Sequence, residues 1–259
     1  MIESLPSARP DRLSAFFQTF DLSVTLIPSH AEDAAANLLV MGSSDENAEA
    51  IHFCARGNTE PRPSCGVLVA AAVQFGGLLN PLMNAMPERL VVALDEVPTL
   101  RAVTVAFVTE ASHSRCGRSV ALDRLCEVIV LLVFRRAIDL GTTTGPGLLA
   151  GLSHPTLHRA IVAIHDQPSQ PWRIEDLAEI SGMSRSRFMT VFPKVVGATP
   201  AAYLTSWRLT LGCRELSRGG RVKSVAQRVG FGSAAAFSRA YSRAYGHPPV
   251  AMRDARSHS

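Results

Sequence analysis

One pattern occurs twice between Trp172 and Pro249, and it constrains this chain more than any bulk property. In the first copy Ile174, Leu177 and Ala178 precede a Gly182–Met183 break, and Ser184 opens a run with Phe188, Val191, Phe192 and Val195 on one face. In the second copy Val222, Val225, Ala226 and Val229 precede a Gly230–Phe231 break, and Ser233 opens a run with Phe237, Ala240, Tyr241 and Ala244 on one face. Three of the four segments carry the full helical set i, i+3, i+4, i+7, and the short first one lacks only its last member. The copies align with one extra residue, Gly232, and beyond them Gly197 falls on Gly246 and Pro200 on Pro249. A repeat of this kind predicts a duplicated structural unit.

Each copy reads as helix, short turn, helix. The glycine allows a turn φ that other residues avoid. Ala178 and Ala226 are small where two helices must cross closely, and Ser184 and Ser233 can cap the second helix through their hydroxyls. This is the helix-turn-helix arrangement, whose second helix enters a DNA major groove. Two ordinary helical hairpins are the alternative, and the shared Gly turn and Ser cap argue against it. Thr199 and Pro200 start a connecting helix, as cap and first helical residue, with Leu204, Trp207 and Leu211 as its buried stripe. Recognition helices held roughly 34 Å apart would meet successive major grooves on one side of a duplex.

Charge follows the same division. Residues 172–259 hold 14 Lys and Arg against 5 Asp and Glu, a balance of +9, whereas the remainder holds 12 against 17, a balance of −5. A basic half joined to an acidic half implies that one part meets a polyanion and the other does not.

The strings "WRIEDLAEISGMSRSRFMTVF", "VVGATPAAYLTSWRL" and "VAQRVGFGSAAAFSRAYSRAYGHPP" resemble the DNA-binding domain of AraC/XylS-type bacterial transcriptional regulators. The likeness spans about the last hundred residues and includes both motif copies and the connecting helix in order. "DRLSAFFQTF", "NPLMNAMPERL" and "SVALDRLCEVIVLLVFRRAI" resemble the cupin-like sensory domains attached to many such regulators. The enzymatic cupins' His-x-His…Glu…His metal cluster is absent, since only His30, His52 and His113 precede the linker.

The expected fold is α+β in two domains. Residues 1–140 form a small β-sandwich or partial barrel, cupin-like, with helices. Residues 141–152, opening with "GTTTGPG", are a linker, and residues 153–259 are an all-α domain with two helix-turn-helix motifs. A short amphipathic helix over 11–20 presents Leu13, Phe16, Phe17 and Phe20. Strands are expected at Leu22–Ile27, Leu38–Met41, Ile51–Arg56, Val67–Phe75 and Leu90–Leu94, with a helical piece at Leu82–Met86. Helices follow at Pro98–Glu110, Ser119–Leu140 and about Pro155–Asp166. The 119–140 helix is apolar beyond a single stripe, so it is buried on more than one side, within one monomer or against a second subunit. His154, His158 and His165 lack metal-set spacing and read as surface or core-edge residues.

On the first recognition helix the outer face carries Arg185, Ser186, Met189 and Thr190, with Arg187 beside them. The resemblance places Ser186, Met189 and Thr190 near base edges. Arg185, Arg187 and Lys194 read as phosphate contacts. On the second, Ala234 and Ala235 offer only apolar contact with thymine methyls, while Ser238 and Arg239 are polar readers. Pro193 is expected to end or kink the first recognition helix and so to redirect Lys194.

Double-stranded DNA is the expected partner. Further expected partners are a small-molecule effector, RNA polymerase and a second copy of the chain, as a homodimer through the 119–140 helix. No cofactor, metal or catalytic residue is expected. The five cysteines are scattered without a C-x-x-C pair, and a reducing cytoplasm is the default. Cys116, in "HSRCGR", is a candidate oxidant sensor, alone or with Cys54 or Cys65, because Arg115 and Arg118 would favour its thiolate. Cys126 and Cys213 read as packing residues. No secretory signal is visible, and the longest apolar run, Val128–Phe134, is too short to span a bilayer. Two other functions compete: a nonspecific architectural DNA binder, and a cupin-fold enzyme with a DNA-binding domain. A DNA-alkylation repair protein would need a reactive Cys in a Pro-Cys-His setting, which none of the cysteines has.

Overall fold

The computed structural model describes residues 11–19, 22–28, 36–54, 66–75, 89–141 and 145–249. The chain divides into two compact units, Asp21–Leu149 and the remainder, which combines Met1–Phe20 with Ala150–Ser259. The helical piece expected at Leu82–Met86, together with His30 and Cys65, lies outside the described residues.

The first unit is built on β1 (Leu22–Ile27), β2 (Leu38–Ser44), β3 (Asn47–Phe53), β4 (Val67–Phe75) and β5 (Leu90–Ala93). These form one five-stranded sheet in the order β1-β4-β2-β3-β5, each neighbouring pair antiparallel. The register brings Val24, Val73, Leu38, Ile51 and Val92 to one face, since Leu38 pairs with both Phe53 and Ala71, and Ile51 with Val92. Helices α2 (Pro98–Ser112) and α3 (Arg118–Leu140) pack together on the sheet, and Phe134 meets Phe53 edge-on at 5.8 Å. Among the described residues the sandwich thus takes the form of a sheet covered by helices. Leu39 and Ala70 seed a smaller cluster with Ala36 on the opposite face.

The 42–47 segment is not a loop, because the ladder continues to Ser44 and resumes at Asn47 around a turn at Asp45–Glu46. Gly42 makes this fit: a Cβ there would lie 2.3 Å from the Asn47 carbonyl oxygen. On α3, Val130 and Phe134 are buried inside the unit, so the monomer itself covers the helix's second side. Val120, Val128 and Leu140 remain exposed on it.

The second unit contains α1 (Ser14–Thr19), most of α4 (Leu148–Ser153), α5 (Leu157–Asp166), α6 (Ile174–Ile180), α7 (Arg185–Val196), α8 (Pro200–Ser217), α9 (Val222–Arg228) and α10 (Ala234–Tyr245). Helix α1 belongs here and not with the sheet. It packs on α5, Leu13 is buried, and Arg12 donates to the Leu152 carbonyl at 2.8 Å. Part of the expected 141–152 linker is helix α4, with Leu148, Leu149 and Leu152 buried. Gly151 lets this short helix sit against Ile161 and Val196, since a Cβ would meet their side chains at 2.4 and 3.1 Å.

Candidate nucleic-acid interface

The two motif copies fold with matching local chemistry. Gly182 and Gly230 take φ of +63° and +87°, and the following residues close the turn: Met183 N donates to Ala178 O at 2.9 Å and Phe231 N to Ala226 O at 2.8 Å. Ser184 accepts from Arg187 N at 3.3 Å, and Ser233 from Ala236 N at 3.1 Å. Thr199 caps α8 by accepting from Ala202 N at 3.2 Å. Each cap satisfies an amide that the first helical turn leaves unpaired.

The inner faces repeat at i, i+4 and i+8: Phe188, Phe192 and Val196 in α7, and Phe237, Tyr241 and Tyr245 in α10 are all buried. Val191 and Val195 are only half-buried, and Ala244 is exposed, so the face is rotated slightly from the one expected. Pro193 does not end α7. The helix runs on to Val196 and closes at Gly197, whose amide donates to Pro193 O at 2.9 Å. Proline removes only the bond to the carbonyl of Met189, an exposed residue, while buried Phe192 and Val196 hold the following turn.

Helix α8 serves both copies from different faces. Tyr203, Leu204 and Trp207 are buried, and Tyr203 meets Phe192 of the first copy at 5.9 Å. Leu209 and Leu216 join the second copy's core, where Leu211 is only partly buried. Gly212 lets α10 approach closely, because a Cβ would lie 2.6 Å from the Phe237 ring. His165 is a core residue, not the surface or core-edge residue its spacing suggests. Its Nε2 lies 2.7 Å from the Tyr203 hydroxyl, and its ring stacks on Trp207 at 3.9 Å.

Burial holds His165 neutral, with its pKa pushed down from the usual 6.5 to about 3. The unfolded chain therefore binds the extra proton first. Stability gained from neutral His165 is complete above about pH 6.5 and falls as the pH drops toward 3. Thermal melts across that window are expected to show a shallower pH dependence for His165→Asn than for the wild type.

Arg208, one of the basic residues, is structural. It donates from Nε to Pro168 O at 2.6 Å and from Nη2 to Gln170 O at 2.8 Å. It thereby ties the loop before α6 to α8. The second motif's turn rests on the same junction, since a Cβ on Gly230 would meet Ser169 Cα at 2.7 Å and the Arg208 guanidinium at 3.0 Å. A Cβ on Gly182 would meet nothing within 4 Å. Gly182→Ala is accordingly expected to lose roughly 1–2 kcal/mol from its left-handed backbone alone. Gly230→Ala should lose roughly 2–5 kcal/mol because overpacking adds to the same strain. Urea unfolding of the two variants checks the contrast.

Outside this core lie the candidate DNA-contacting residues. Arg185, Ser186, Arg187, Met189 and Thr190 are all exposed on α7. Arg185 is not free, for its Nε lies 2.9 Å from Glu175 Oε1 on α6. The Thr190 hydroxyl donates back to Ser186 O at 3.0 Å. On α10, Ala235 and Arg239 are exposed, Ser238 is half-buried, and Ala234 leans onto the second core. His154 Nδ1 accepts the amides of Thr156 and Leu157 at 3.3 and 3.2 Å. Burial, then His158 and Arg187, keep His154 below its ordinary pKa. Glu175 carries no sequence signal of this role, because carboxylates at a helix start read as caps. Its ten-residue distance from Arg185 gives no helical period.

Cys116 is exposed in the turn before α3, but its arginine neighbours are engaged elsewhere. Arg115 faces Glu110 at 3.9 Å, and Arg118 donates to the carbonyls of Glu110 and Ala111. Cys126 is buried, which pushes its thiol pKa up, and half-buried Cys213 accepts from the Tyr241 hydroxyl at 3.6 Å. No helix among the described residues is long and apolar enough to cross a membrane.

Residues 177–255 match the family model of a helix-turn-helix domain, and residues 25–139 match that of a cupin. A putative AraC-like transcription regulator of Streptomyces lividans is 30% identical over 186 residues, covering 70% of this chain and 61% of that protein. The HTH-type transcriptional regulator AlkR of Acinetobacter baylyi is 34% identical over 179 residues, 67% of this chain and 58% of its own length. The RCS-specific HTH-type transcriptional activator RclR of Escherichia coli is 31% identical over 181 residues, 66% and 62% respectively. The matched segments span about three fifths of each of these relatives. Fold and matches together define a cupin domain joined to a doubled helix-turn-helix domain. Both domains are similar to those of AraC-like transcription regulators.

Proposed function

We propose that this chain is a sequence-specific transcription factor that grips double-stranded DNA with α7 and α10. One observation carries the reading: two motifs with the same turns, caps and inner faces share one connecting helix, and each leaves its outer face exposed. Arg187 and Lys194, exposed on α7, suit phosphate contact. Arg239 and Ser238 suit base edges.

The sheet unit is the sensory part of this reading. It holds a cleft of about 310 Å³ lined by Asn47, Glu49, Asp95 and Arg101, in the size range of a site for a small polar effector. Oxidant sensing through Cys116 draws less support, since Arg115 and Arg118 are directed to other groups. Exposed Val120 and Val128 on α3 are the side chains through which a homodimer would form.

A nonspecific architectural binder is the second reading. It is favoured by the run Ala234–Ala236, which brings no hydrogen-bonding side chain to the second recognition helix. Sequencing the genomic fragments that the protein retains, then competing the enriched site against random duplex, separates the two. A regulator is expected to prefer its site by roughly 10³-fold or more, whereas equal competition by random duplex would favour the architectural reading.

A further inference from the structure

We propose that Glu175 is a positioning residue that sets the sequence specificity of the first motif by holding Arg185 as a base reader. This rests on the DNA-binding reading above. Glu175 is the second residue of α6 and Arg185 the first of α7, and both side chains of this 2.9 Å pair are more than half exposed. Pairs this exposed add little to stability, so folding gives no strong reason for the contact.

The internal repeat supplies a control within the same chain. Aligning Ile174 with Val222 and Ser184 with Ser233 puts Lys223 where Glu175 stands and Ala234 where Arg185 stands. Lys223 is exposed like Glu175. One motif therefore carries an anion at the mouth of its recognition helix, and the other a cation. A carboxylate beside a groove-facing helix repels phosphates and weakens binding to any sequence. Glu175 offsets that loss by engaging Arg185 through Nε, which leaves the two Nη groups free to donate to O6 and N7 of one guanine. A guanidinium fixed in this way loses less freedom on reading a base than a loose one does. It also cannot swing to the nearest phosphate without breaking the pair. Arg185, which sequence alone assigns to phosphate, becomes a discriminating residue, while Lys223 supplies sequence-tolerant anchorage in the second motif.

The test uses the full chain and measures affinity for its enriched site and for random duplex, at several salt concentrations. Glu175→Ala is expected to bind random duplex more tightly while its preference for the site falls by on the order of tenfold. Arg185→Ala should lose the same preference, and the double variant should lose no more than either alone. Glu175→Gln, which keeps an acceptor for Nε, should retain more preference than Glu175→Ala. Lys223→Ala should weaken both duplexes alike and reduce the salt slope by about one. Melting temperatures of the Glu175 variants should match the wild type. If Glu175→Ala raises both affinities by one common factor, the proposal fails and the regulator reading stands. A wild type that prefers no sequence overturns both.

Discussion

Trp207→Ala is expected to cost about 3–5 kcal/mol of stability, as much as the truncation of any core aromatic. Trp207 is fully buried on α8 and stacks on His165, which in turn bonds Tyr203. Removing the indole leaves a void between α8 and α5, where it stacks on His165. It also strips one side of a buried imidazole that has few other partners. Urea unfolding followed by circular dichroism checks the magnitude. Trp207→Phe should recover most of the loss, because it keeps a ring against His165. A Trp207→Ala variant with wild-type unfolding would mean that the indole does not brace α8 against α5.

Arg239→Ala is expected to weaken binding to the enriched site by roughly 5- to 150-fold, the equivalent of one well-placed arginine-to-base contact. Arg239 is exposed on α10, one helical turn beyond exposed Ala235, and stands where Thr190 stands in α7. In the proposed DNA-binding mode the alanines around it offer only methyl contacts, which leaves Arg239 and Ser238 as the polar readers expected of the second motif. Gel-shift titration at moderate salt measures the effect. Unchanged affinity there would remove Arg239 from the interface. A loss shared equally with random duplex would make it a phosphate contact.

The helical half was legible because its turns are chemical signals. Gly182 and Gly230 need a positive φ, Ser184 and Ser233 cap, and these local demands do not depend on distant neighbours. Pro193 does not end α7, because its local preference yields to the burial of Phe192 and Val196 on the far side of the turn. His165 misled because a lone histidine near a helix end gives no sign of a ring waiting some forty residues later. The two-sided role of α8 was hidden by Gly212, which contributes no side chain and so drops out of any apolar stripe. In the sheet unit, β1 and β4 were readable in full, at the bounds Leu22–Ile27 and Val67–Phe75. The β2–β3 hairpin was not, since Ser43, Ser44 and Asn47 look like loop residues although ladder bonds hold the segment. Of the site, the exposed faces of α7 and α10 could be read in advance, but the pairing of Glu175 with Arg185 could not.

The placement of α1 changes how this chain can be taken apart. Because Ser14–Thr19 packs on α5 while β1 begins at Leu22, the sheet unit is inserted within the helical unit and not appended to it. A single cut between Leu140 and Leu148 would leave the halves covalently joined through Phe20 and Asp21. A fragment starting at Ala150 would lack Leu13 and Arg12, stripping cover from α5 and from the Leu152 carbonyl. Separating the DNA-binding half in working form therefore calls for two breaks, with the segment Met1–Phe20 retained or resupplied as a peptide.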